Sequence, residues 1–112
     1  MFAIQDLYAP EYSHCWGCGA VHPYGLHLKS YLSDDHTYCY CRHKPDARYT
    51  GGVPDNLYGG FIAMLFDCHG TAAAAALYLV AHAEELTTDT LQRFITCLLY
   101  TSAARGMSWQ KM

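Results

Sequence analysis

Charge is scarce in this chain: Asp, Glu, Lys and Arg make up 15% of its 112 residues, and the acids outnumber the bases ten to seven. A formal net charge of −3 supplies no basic field with which to hold nucleic acid. Met1 to Pro10 lacks a cationic start followed by an apolar core, so no secretory leader is read there. The longest apolar run is broken by Asp67 and His69 and falls short of the ~18 residues of a membrane span. With neither leader nor span, the expected location is the cytoplasm, and the six cysteines are expected as free thiols rather than three disulfides. Internal repeats are also lacking, and the alanine run at 72–76 is simply strong helix former. What is present is 52% apolar residues, which excludes disorder and suits one packed domain over residues 1–112.

The chain is organised around Asn56 to Ala83, which opens with Tyr58-Gly59-Gly60 and reads as one long helix with Asn56 as its N-cap. Ile62, Leu65, Phe66, Ala72, Ala73, Ala76 and Val80 recur at helical spacing and predict a face buried against a sheet, with His69 its one polar interruption. A second stripe, Gly60, Met64, Asp67, Thr71, Ala74 and Tyr78, puts Asp67 two turns or ~10 Å beyond Gly60 on the same side. Paired glycines at a helix start leave backbone N–H groups free and partly positive, which suits an oxyanion. A carboxylate within reach could act as a base or a nucleophile.

Around that helix the order is strand, strand, helix, strand. Residues 1–25 read as an N-terminal arm ended by Pro10, then a glycine-rich loop holding Cys15-Trp16-Gly17-Cys18-Gly19 and Pro23-Tyr24-Gly25-Leu26. Leu26 to Leu32 alternates as a half-buried strand, Ser33-Asp34-Asp35 turns the chain, and His36 to Lys44 pairs back antiparallel. Pro45 to Asn56, with two glycines and a second proline, is a loop. Glu84 and Glu85 have the wrong sign for a helix C-terminus, so the helix is expected to stop near Ala83. The β-rich composition of Thr90 to Thr101 predicts a third strand, and residues 97–112 form an atypical tail without a clear period.

This order, with Cys15-x-x-Cys18-Gly19, Pro23-x-Gly25-Leu26 and Tyr58-Gly59-Gly60, resembles the hotdog-fold acyl-CoA thioesterases of the PaaI-like group over Ser13 to Thr96. That family carries His-Gly-Gly with a catalytic Asp or Glu nine positions after the His; here Tyr58 takes the place of the His and Asp67 stands at the acid position. The resemblance implies an α+β hotdog fold, one long central helix on an antiparallel sheet. It also implies hydrolysis of an acyl-CoA thioester to free acid and CoA, with no cofactor. The N–H of Gly59, with that of Gly60, would form the oxyanion hole. Asp67 would activate water or attack directly, and Thr96 would help hold the water. Tyr58, Asn56 and Met64 are the expected substrate contacts. An Asn that assists in some members falls near Gly52 and is absent there. Where members continue with further strands, Cys97 to Met112 does not resemble them, so the sheet is expected to be incomplete. The implied partners are acyl-CoA and other copies of the chain, as a homodimer or tetramer.

An inactive fragment of the thioesterase is one rival; another, of a different class, is a small zinc-stabilised binding module without catalysis. Its ligands would come from Cys15, Cys18, Cys39, Cys41, His14, His22 and His43, since thiolate and imidazole are preferred by zinc. The spacing of Cys39 and Cys41 is not a usual zinc spacing, and alternate thiols on a strand face more often belong to a core. Cys68 and His69 diverge by ~100° as helix neighbours and read as packing. The expectation is therefore no metal.

Overall fold

The computed structural model describes residues 2–95, a mixed α+β arrangement in which one long helix lies against a two-stranded antiparallel hairpin. Two 3-10 turns, Ile4–Leu7 and Pro10–Tyr12, form the arm. Pro10 opens the second turn instead of ending a helix, because its missing N–H costs nothing at a first helical position. The strands are β1, Ser30–Leu32, and β2, Cys39–Cys41, shorter than the alternation predicted, in register Ser30 to Cys41, Tyr31 to Tyr40 and Leu32 to Cys39. Tyr31 and Tyr40 stack on the outer face at 5.6 Å, the cross-strand aromatic pairing that steadies a short ladder. Asp35 closes the turn by accepting from Ser33 Oγ, Thr37 N–H and Thr37 Oγ1, and these bonds hold its carboxyl below the usual range.

The long helix α1 runs Gly59–Ala81, and its N-cap is Tyr58, which makes no side-chain cap bond. Asn56 is therefore not the cap. Its backbone is committed to the preceding turn, with Asn56 N–H on Val53 O and Asn56 O accepting from Gly51 N–H. The far end matches the expected stop. Ala83 takes a left-handed φ of 55°, Glu84 N–H reaches Leu79 O, and Ala83 N–H reaches Val80 O, which together make a Schellman closure.

The buried face of α1 differs from the predicted stripe. Phe61, Cys68, Ala72, Ala75, Ala76 and Leu79 are inside, while Ile62 and Phe66 are exposed, a rotation of somewhat less than one residue step of ~100°. Small side chains decide this. The alanines let Ile4 and Leu91 come close and share one core with Leu79, with Leu7, Tyr8, Cys39, Leu86 and Phe94 at its rim. A second core of Cys18, Leu28 and Cys68 has Leu26, Cys41, Met64 and Leu65 packed around it.

His69 lies beside these cores in a satisfied polar chain. Gln5 Nε2 donates to Ser30 Oγ at 3.0 Å, and Ser30 N–H donates to Gln5 Oε1 at 2.7 Å. The Ser30 hydroxyl is also hydrogen-bonded to His69 Nδ1 at 2.9 Å, which ties the imidazole of α1 to β1 and the arm. By length and composition α1 meets the measure of a bilayer span, Asp67 and His69 included, so those two residues do not exclude one. In the fold its alanine face is covered by the arm and by the segment after it.

The predicted third strand is corrected over its described part. Thr88–Leu91 is a short helix, α2, followed by a 3-10 turn at Gln92–Phe94. A capping box overrides β propensity here: Thr87 Oγ1 accepts from Thr90 N–H at 3.1 Å and Thr90 Oγ1 accepts from Thr87 N–H at 2.9 Å. Thr96 and the rest of that expectation lie outside the described residues.

Candidate functional site

The start of α1 is open. The N–H groups of Gly59 and Gly60 have no partner among the described residues, and a Cβ built on Gly59 meets nothing within 4 Å. At Gly60 a Cβ would land on the Tyr58 ring, so the glycine is what allows that half-exposed ring to fold over the helix start. Asp67 is exposed, and the two-turn spacing sets it on the same side as Gly60, away from Ile62 and Phe66. Its Cα–Cβ bond tilts toward the helix N-terminus, so the carboxylate leans back toward Gly60 across the ~10 Å of rise between them.

The other expected site residues divide. Tyr58 and Asn56 are exposed beside the helix start. Met64 is half-buried against the second core, its Sδ close enough that a Cβ on Gly17 would sit 2.8 Å away. Thr96 lies outside the described residues. A cavity of about 570 Å³ lies at the opposite end of α1 between Phe2, Leu32, Val80 and Leu86, and Asp67 does not line it.

Beside Met64 the structure brings together three residues that spacing alone did not join. The Cys15–Gly19 loop is pinned by Gly19 N–H to Cys15 O at 2.7 Å, Leu26 N–H to Trp16 O at 2.9 Å and Leu28 N–H to Gly17 O at 3.0 Å. It lies so close to α1 that a Cβ on Gly17 would be 2.6 Å from Cys68 Sγ, and one on Gly19 would strike the backbone of Ser13 and Cys15. The Sγ atoms of Cys15, Cys18 and Cys68 all fall within 4.8 Å of one another, with 3.9 Å between Cys15 and Cys68.

All five described cysteines are free thiols. In the trio Cys15 is held far below the usual thiol range, because Cys18 and Cys68 S–H and the N–H groups of Cys18 and Gly17 all serve its sulfur. Cys18 is pushed up to about 12, first by its bond to Cys15, and Cys68 is pushed up for the same reason. Burial and the three neighbouring thiols raise Tyr8 to about 12.

The zinc set considered from sequence is not assembled. Cys39 and Cys41 pack on the two cores, His43 stacks on Phe61 at 5.7 Å, and His22 Nδ1 accepts from Tyr24 N–H at 3.0 Å. Cys68 was missed because its pairing is long-range. The signal available was its place seven residues after Phe61 and four before Ala72, which turns it inward. Compared with known protein families, curated proteins and solved structures, the chain finds no match.

Proposed function

We propose that this chain is an acyl-CoA thioesterase subunit of hotdog type that cleaves an acyl-CoA to free acid and CoA in the cytoplasm, without a cofactor. The observation that carries the reading is the uncapped Gly59-Gly60 helix start with exposed Asp67 two turns along the same side. In the proposed reaction the Asp67 carboxylate takes a proton from water as the water oxygen bonds to the thioester carbonyl carbon. The oxyanion rests on the Gly59 and Gly60 N–H groups, where preorganised donors act most strongly. Its collapse breaks the carbon–sulfur bond, and the CoA sulfur leaves with the proton that Asp67 had taken.

Tyr58 in place of the family His leaves both backbone donors available, since they belong to the glycines. Asp67 does not line the cavity at Phe2 and Leu86, the one at Tyr49 and Asn56 or the one at Ile62 and His69, and coenzyme A needs a concave surface. A second copy supplies it in this reading, so the active species is a homodimer or tetramer with the site between subunits. The test is release of free CoA thiol from a panel of acyl-CoA esters across protein concentrations that span dissociation. Specific activity that falls on dilution supports the proposal. Absence of hydrolysis across the panel at high concentration of folded protein refutes it.

A further inference from the structure

We propose that Cys15, Cys18 and Cys68 bind one zinc ion, with the fourth coordination position on the solvent side, where Cys15 is exposed. This goes beyond the thioesterase reading and does not depend on it. Two observations converge. Tetrahedral zinc with Zn–S near 2.3 Å requires sulfurs ~3.8 Å apart, and Cys15 and Cys68 stand at 3.9 Å with Cys18 within 4.8 Å of both. Only a small contraction is needed.

Second, the loop is built for close approach: Gly17 lies against Cys68 and Met64 of α1, and Gly19 against the backbone of Ser13 and Cys15. A pair of thiols would suit a disulfide, but a third sulfur within 4.8 Å of both suits a soft cation seated among the three. The ion would tie the loop, through Cys68, to the edge of α1 that carries Met64 and Asp67.

The test uses the full chain, reduced with a metal-free phosphine reductant under anaerobic conditions. Titration with zinc should reach one ion per chain by native mass spectrometry. Cobalt in its place should give thiolate-to-metal charge-transfer absorption and intense tetrahedral ligand-field bands. Cys68→Ser should weaken zinc, measured against a chromophoric chelator, by about 100-fold or more, while Cys39→Ser and Cys41→Ser leave it unchanged.

Because Cys68→Ser could disturb folding, the wild-type chain carries a second measurement. Zinc should protect Cys15, Cys18 and Cys68 from alkylation, mapped by peptide mass spectrometry, and leave the rates at Cys39 and Cys41 as they were. Equal protection of all thiols, no stoichiometric binding, or a Cys15–Cys18 disulfide formed in preference to the zinc complex would overturn the proposal.

Discussion

Asp67→Asn separates catalysis from folding because Asp67 is exposed and takes part in no hydrogen bond or ion pair among the described residues. An isosteric change at such a position shifts stability by less than ~0.5 kcal/mol. Its effect on the proposed reaction should be large, since a positioned general base contributes ~10²- to 10⁴-fold, or roughly 2.7–5.5 kcal/mol in the barrier. The amide keeps the shape but cannot take the proton from water. The loss should therefore fall on kcat, with KM nearly constant, because the group acts in the transition state rather than in binding. The assay is CoA release at saturating and limiting acyl-CoA, beside circular dichroism and a urea melt of the same preparation. A variant that folds like the parent and turns over at the parent's rate would refute Asp67 as the base and the helix-start site with it.

Ala83→Gly should stabilise the chain by about 0.5–1 kcal/mol in urea unfolding, since alanine at φ 55° carries a left-handed penalty of ~1–2 kcal/mol that exceeds the entropy cost of glycine. A loss of stability would deny the Schellman closure. Leu79→Ala, at a residue with no exposed surface, should cost about 3 kcal/mol, whereas Phe66→Ala, 74% exposed, should cost under ~0.5 kcal/mol. The reverse order would restore the helix face predicted from periodicity. Asp35 should titrate below the ordinary carboxylate range in a carboxyl-detected NMR titration. Its folded value being depressed, its contribution to the hairpin is present above the unfolded pKa and lost as pH falls through the folded one, and Thr37→Val should bring the titration back toward 3.8.

How far the fold was legible depended on whether the deciding signal was local. The hairpin was readable because Leu28, Ser30 and Leu32 alternate with Lys29 and Tyr31, and Ser33 to Asp35 is turn chemistry. The stop of α1 was also readable, although the left-handed residue after its His82 cap is Ala83 and no glycine marks it. Two elements were misplaced by competing local preferences. Thr90 to Phe94 has strand composition, but the Thr87–Thr90 capping box satisfies a helix start that composition does not register. The face of α1 differs from the predicted stripe because apolar side chains occur nearly all round the helix, so periodicity alone does not single out the buried side. The helix buries its small residues, and what touches Ala72, Ala75 and Ala76 is Ile4 of the arm and Leu91 of the segment beyond, partners that no local window contains.

The same distinction explains the two halves of the candidate site. Gly59, Gly60 and Asp67 lie within three turns of one helix, so spacing alone places them, and only the packing role of Met64 required the third dimension. The cysteine trio joins positions 53 residues apart, and nothing in the Cys15-x-x-Cys18 spacing names Cys68 as the third sulfur. Both halves nonetheless converge on one edge of α1. Met64 lies between Gly60 and Cys68 along the helix and packs on Gly17, so the cysteine loop is the neighbour of the open side that carries Asp67. Asp67 raises Cys18 through space, which is the electrostatic trace of that proximity. An ion binding the three sulfurs would replace shared protons with positive charge there, and the loop would then be held by bonds stronger than the packing of small thiols. The helix start and the sulfur cluster thus require the same thing of the sequence: glycines at 17, 19 and 60, where any side chain would meet Cys68, the Cys15 backbone or the Tyr58 ring.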